Sequence, residues 1–323
     1  MVPNVVPKYG DLPPADGGAR SAWGVFGPQD SVGRLNLQTA DSIQSASHLV
    51  RKGSVFPLDA PLGTFDPPLF GRGAPKHKVF ERSGGTLDDA LDNVFPQASS
   101  QWDSLAHVAY DPEGGASFYG GCSLRDMRAG GRNGVDHWAR RGIVGRAVVL
   151  DLELTMQGRL GSYSPGESIA IDVADLEAAR SDAGVAYQRG DVLLICTGFV
   201  SWYRDQARGS REAMADRGQL KAVGLAHSER IAEYLWDAEI AAIATDSPAL
   251  EVWPPDESRS SWPFGFLHRV LIAQLGFAIG ELWVLEELCR DCRSDGIWEA
   301  FFTSAPWHLA GGIGSPANAI AVK

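Results

Sequence analysis

The stretch “GDVLLICTGF” (residues 190–199) sets five apolar residues in a row between a Gly-Asp and a Thr-Gly pair. A run this short and this uniformly apolar, bounded by turn-forming residues, reads as a β-strand buried on both faces. “GRAVVLDLEL” (145–154), “IAAIATD” (240–246) and “IWEAFFTSAP” (297–306) have the same character. The segments between them read as helices. “DVADLEAARSDAG” has a cap in Asp172 and a stop in Gly184, and “REAMADRGQLKAVGLAHSERIAEYLWD” is divided by its glycines into two helices. “FGFLHRVLIAQLG” is apolar nearly all round. Strands alternating with helices predict an α/β fold.

No fixed-period repeat, low-complexity tract or abrupt change of composition divides the chain, so one domain is expected. Its first 75 residues are rich in Gly, Pro and Asp, with “PLDAPLGTFDPPLFGRGAPKH” (57–77) the clearest loop. We read residues 1–75 as an irregular arm packed on a domain spanning 76–323. That arm either folds over its own pocket or reaches a neighbouring copy.

The 323 residues are 44% hydrophobic and 21% charged, with a net charge of −11. A chain this long buries about three quarters of its unfolded surface and needs no disulfide or metal merely to fold. With no cluster of Lys and Arg, it lacks the basic surface that nucleic acid requires. “MVPNVVPKYGDLPP” has no basic segment followed by an apolar core, and no apolar run approaches the ~20 residues that span a bilayer. A cytoplasmic protein with a small-molecule substrate is expected, with neither nucleic acid nor membrane as partner. Cys289 and Cys292 form a lone C-x-x-C in a helix-like stretch. With Cys122 and Cys196 they read as free thiols of a reducing compartment.

There is no G-x-S-x-G, H-E-x-x-H or G-x-x-x-x-G-K-[ST], and “GGIGSPANA” reads as a tight turn. Of seven histidines, His107 and His268 stand out by their neighbours. In “SSQWDSLAHVAYDP” an extended backbone puts Gln101, Asp103 and His107 on one face with Trp102 opposite, whereas a helical one brings Asp103 and His107 together at i, i+4. Either geometry pairs a carboxylate with an imidazole, as a metal ligand beside a base or a carboxylate orienting a histidine requires. His268 lies in an apolar helix and Glu281 follows “GFAIG”. A satisfied core histidine and a carboxylate at a helix N-terminus account for these two as readily as a metal site does, and spacing alone does not decide.

Seven blocks appear in order: “WGVFGPQDSVGRLNLQTA”, “SSQWDSLAHV”, “GIVGRAVVLDL”, “RGDVLLICTGF”, “IAAIATDSPALEVWP”, “LHRVLIAQLGFAIGELWVLEEL” and “GGIGSPANAIAV”. Together they resemble the cyclase superfamily of metal-dependent hydrolases, with its kynurenine formamidases, isatin hydrolases and trans-dienelactone hydrolases, over about residues 23–322. The resemblance implies a compact swivelling β/β/α domain, a curved mixed sheet surrounded by helices, and a homo-oligomer, dimer or tetramer. It also implies hydrolysis of cyclic or acyl amides or lactones with Zn²⁺ or Mn²⁺.

The family motif H-x-G-T-H-x-D-x-P-x-H places its Asp on Asp103 and its last His on His107. Its first two His fall on Gln97 and Gln101, its Thr on Ser100 and its Pro on Leu105. The downstream His and Glu match His268 and Glu281, with a one-residue difference in spacing. Two imidazoles are thus replaced by amides. The implied ligands, Asp103, His268, Glu281 and Gln101, are rich in oxygen and suit one divalent ion, Mn²⁺ or Zn²⁺ with Mg²⁺ as a further option. His107 is then the general base, and Trp102, Tyr119 and Trp253 wall a pocket for a cyclic or aromatic substrate. The alternatives are a cyclase or dehydratase acting on a polyketide-like carbonyl compound, and a metal-free binding protein of the same fold.

Overall fold

A computed structural model describes residues 5–111 and 115–323. Among these residues the strands are β1 (Val55–Pro57), β2 (Lys76–Glu81), β3 (Leu87–Asp92), β4 (Gln101–Asp103), β5 (Ile143–Asp151), β6 (Ala170–Ile171) and β7 (Val192–Cys196). They continue with β8 (Gly224–Leu225), β9 (Ala242–Thr245), β10 (Ala278–Glu281), β11 (Glu299–Ser304), β12 (Gly314–Pro316) and β13 (Ala319–Val322). Nine of them form one curled mixed sheet in the order β1-β13-β11-β5-β7-β9-β10-β4-β12, within a single α/β domain. β5, β7, β9 and β10 run parallel, and antiparallel pairs flank them on both sides.

The burial of each strand follows from its neighbours. β7 is buried at every residue because it lies between parallel strands with both faces covered. β11, nearer the edge, alternates between buried and half-buried positions. Gly145 to Leu154 was expected to be one strand, but the extended run ends at Asp151. There the Asp151 carboxylate accepts from the Leu154 amide and caps the helix Leu152–Leu160. Asp172 caps the helix Val173–Asp182 in a reciprocal capping box with Asp175. The two helices expected after it are Arg208–Ala215 and Glu229–Asp237.

The apolar run after His268 forms a π-helix over Arg269–Gln274, in which the Leu275 amide donates to the Val270 carbonyl. Such segments recur at functional sites. β2 and β3 make a separate two-stranded ribbon whose side chains are exposed apart from half-buried Phe80. The four cysteines are free and buried, with Cys289 and Cys292 on the helix Glu286–Asp295. No helix among the described residues is long and apolar enough to cross a membrane.

Candidate active site: a buried acid and imidazole cluster

The cluster starts from strand pairing. β4 and β10 are antiparallel neighbours with Gln101 opposite Glu281 and Asp103 opposite Ile279. Opposed side chains share a face, so Gln101 Nε2 donates to Glu281 Oε2 at 2.8 Å, and Asp103, two residues along, emerges on that same face. Trp102 and Gly280 are the opposed pair on the other face. A Cβ on Gly280 would lie 2.8 Å from the Trp283 ring, so only glycine admits that indole, whose Nε1 donates to the Gln101 carbonyl. Glu281 therefore closes a strand, and the helix N-terminus considered for it does not exist. Leu282, next in line, has φ of 58°, a left-handed conformation unfavourable for its side chain. It is held by its amide on the Ser247 carbonyl and by Ser100 Oγ, which donates to its carbonyl.

His268 enters from the start of the π-helix. Its Nδ1 donates to Glu251 Oε2 at 2.5 Å, and its Nε2 lies 3.0 Å from Glu281 Oε1. The ring of Phe266 stacks on it at 5.2 Å. Glu251 is fully buried and was not singled out in the sequence. A Cβ on Gly224 would come within 2.3 Å of the Glu251 backbone, so glycine in β8 lets that segment pass. Burial would lower the pKa of His268, but contact with Glu251 and Glu281 raises it well above the usual imidazole value. Burial pushes the Glu281 carboxyl up to about 7. Glu251 is held below the usual range by His268 against its own burial.

Asp103 is 0% exposed, and neither of its oxygens accepts a hydrogen bond among the described residues. Gln101 Oε1 is likewise buried and unpartnered. Oxygen or nitrogen atoms of Asp103, His268 and Glu281 all lie within 4.8 Å of one another. Buried acceptors are normally paired, so an arrangement that leaves three oxygens open beside an imidazole has the chemistry of a divalent-cation site. The donor set fits such an ion.

His107 lies on neither a strand nor a helix. The chain turns after Asp103, with the His107 amide donating to the Ser104 carbonyl, and this sets His107 Nε2 3.7 Å from Asp103 Oδ1. Its side chain is 24% exposed, and burial lowers its pKa. Arg72 stands at the edge of the cluster. Its Nη1 donates to the Gln97 carbonyl at 2.6 Å, and its guanidinium lies 4.8 Å from the Phe70 ring centroid. Gln97 turns its side chain towards Gly314.

The expected aromatic wall is not assembled here. Trp102 is fully buried on the opposite face of β4, with Nε1 donating to Ser304 Oγ. Tyr119 is buried with its hydroxyl on Asp30. Trp253 packs edge-on against Phe70 and donates to the Arg217 carbonyl. A cavity of about 1000 Å³ is lined by Trp23, Tyr110, Trp262, Arg269 and Gln274 among others. None of Gln101, Asp103, Glu251, His268 and Glu281 lines it.

A curled mixed sheet that carries buried carboxylates and an imidazole at its β4–β10 seam defines an α/β protein with an enzyme-like centre. Residues 54–252 match the Cyclase family, described as “Putative cyclase”, and the chain belongs to that family. A crystal structure of a novel cyclase superposes with a TM-score of 0.81 at 29% identity, covering 94% of this chain and 99% of that one. Isatin hydrolase A from Ralstonia solanacearum shares the fold with a TM-score of 0.60 at 16% identity, covering 88% of this chain and 98% of the other. Isatin hydrolase A from Labrenzia aggregata, bound to benzyl benzoate, gives 0.56 at 15% identity, covering 85% and 94%. No curated protein matches the chain.

Proposed function

We propose that the chain is a metal-dependent hydrolase that cleaves the acyl bond of an amide or lactone. The observation that carries this reading is the set of open acceptors on Asp103 and Gln101 beside His268 and Glu281. Asp103, His268, Glu281 and the Gln101 amide oxygen would hold one divalent ion, Mn²⁺ or Zn²⁺. When bound, such an ion supplies Lewis-acid polarisation of a carbonyl and makes water acidic enough to react near neutral pH. Glu251, bonded to Nδ1, fixes the orientation of His268 and presents Nε2 to the cluster. His107, beside Asp103 and partly exposed, takes the proton as water attacks, a role worth roughly 10²–10⁴-fold in rate.

One observation favours the metal-free reading: Glu281 already accepts from Gln101 Nε2 and the Leu250 amide and lies against His268 Nε2. The same experiment decides between the two. Protein purified without chelator should carry about one Mn²⁺ or Zn²⁺ per chain by elemental analysis and hydrolyse members of a lactone and amide panel. Asp103→Ala should lose both metal and turnover. Full metal content in that variant would remove Asp103 from the ligand set. Absence of metal in the wild type, even after reconstitution, would overturn the hydrolase mechanism.

A further inference from the structure

The cluster gathers negative charge. Glu251 and Glu281 are buried carboxylates on the His268 imidazole, and Asp103 is a third, with an oxygen within 4.8 Å of His268 and Glu281. A dication in place of the His268 Nε2 proton would still leave one negative charge over. A hydrolase working there has a difficulty at the end of its reaction, because cleaving an acyl bond creates a new carboxylate inside an already anionic site. Some cation must meet it.

Arg72 is placed for that task. It makes no ion pair among the described residues, and its one side-chain hydrogen bond uses Nη1. Among the described residues its other N–H groups have no partner, and none of them is closed off from solvent. Its position follows from its contacts: Nη1 is tied to Gln97, four residues before Gln101, and its ring partner Phe70 packs on Trp253, two residues after Glu251, so the guanidinium sits between the two segments that deliver Gln101, Asp103 and Glu251.

Its aim is fixed by a strained turn. Phe70 has φ of 61°, a left-handed conformation that a bulky side chain adopts only when its surroundings impose it. In that conformation the Phe70 ring lies edge-on against Trp253 at 5.0 Å and under the Arg72 guanidinium at 4.8 Å. A stacked guanidinium held by one Nη has its remaining edge set for a two-oxygen acceptor.

We propose that Arg72 receives the carboxylate formed when the acyl bond is cleaved, making it a product-binding and specificity-determining residue of this site. In the step concerned, the acyl carbon to nitrogen or oxygen bond breaks and the oxygen of water becomes one carboxylate oxygen. One proton of water ends on the leaving nitrogen or oxygen, and the other passes to His107. The new anion pairs with Arg72. The inference rests on the hydrolase reading above, and it names the substrate class as acyl compounds whose product presents a carboxylate next to an apolar body.

Isothermal titration with benzoate and with its neutral isostere benzamide tests the assignment, on Mn²⁺-loaded and on chelator-treated protein. Wild type should prefer benzoate by about tenfold or more, the scale of a hydrogen bond between charged groups. Arg72→Met should abolish that preference while benzamide binding, metal content and melting temperature stay as in wild type. Arg72→Lys, which keeps the charge and loses the fork, should recover part of it. Unchanged benzoate affinity in Arg72→Met, equal loss of both ligands, or a wild type that does not prefer benzoate would each overturn the proposal. The chelator-treated arm separates the two readings. A benzoate preference that depends on Arg72 in a chain that never takes up metal would refute the metal mechanism and leave the anion site standing.

Discussion

Asp103 turns two buried oxygens inward with no hydrogen-bond donor on either among the described residues, although the family motif and the strand register both point it there. An unpaired buried acceptor costs about 1–3 kcal/mol. Residues kept at such a cost are commonly kept for function, at the expense of the fold. Asp103→Asn is therefore expected to raise the melting temperature of chelator-treated protein while reducing metal uptake, read by thermal denaturation and elemental analysis in parallel. A fall in melting temperature would show that the carboxylate holds the fold together through an interaction other than metal binding. At this scale the sequence was informative where a period of two could be applied: Gln101 and Asp103 share a face, and Trp102 does not. It was silent on Glu251, whose partner lies 17 residues away across a segment with no periodic pattern. It expected Tyr119 and Trp253 to wall a pocket, whereas Tyr119 turns its hydroxyl to Asp30 and Trp253 packs on Phe70, because nearness along the chain says nothing of which way a ring turns. Arg72 escaped notice because it sits in a loop whose backbone conformation decides its aim.

Elements were legible in proportion to how far local chemistry fixed them. β5, β7 and β9 could be read because strands in the middle of a sheet must be apolar, and β11 because its apolar run is bounded by turn residues. The helix Val173–Asp182 could be read because its cap is spelled out by Asp172. β4 could not be identified as a strand from its own three residues, since only β10 and β12 on either side make it one. The β2–β3 ribbon is the opposite case, an element that depends on nothing beyond itself. His77 pairs with Asp89 and Arg82 with Asp88 within it, and Val79, Leu87 and Leu91 stand exposed on it. Its ends are already joined, since Asn93 Nδ2 donates to the Ala74 carbonyl. Excision of 76–92 with a glycine bridging Pro75 to Asn93 is expected to change stability by no more than about 0.5 kcal/mol, as for other surface changes. Denaturant unfolding measures this, and a larger loss would mean that the ribbon braces the loop carrying Arg72.

Across the whole molecule, three distant parts of the chain meet at one carboxylate. Asp295, at the end of the helix Glu286–Asp295, pairs with Lys52 from the N-terminal segment and with Lys323 beyond β13. Burial would raise its pKa, but the two ammonium groups and the Ile297 amide bring it down to about 2 from an ordinary value of 3.8. A carboxyl whose pKa is depressed in the folded state contributes stability that is fully present above its unfolded value and fades as pH falls through its folded one. Wild type should therefore lose its advantage over Asp295→Asn between about pH 4 and pH 2 in thermal melts. An advantage that persists unchanged at pH 2 would assign it to packing rather than charge. Single-domain organisation and fold class were legible from the alternation of strands and helices. The order of strands was not, because it depends on pairings between residues far apart.

That order also bears on how the protein is made. Gln101 and Glu281 bond across a separation of 180 residues, and β4 lies between two strands that both come from the last fifty residues of the chain. During synthesis at about 5–20 residues per second, β4 waits on the order of 10–40 s at the ribosome before either neighbour emerges. Throughout that interval its two backbone edges have no native strand partner. The β4–β10 and β4–β12 seams thus form only after most of the chain has been made, and until then the strand that carries Gln101 and Asp103 stands without its hydrogen-bonded neighbours.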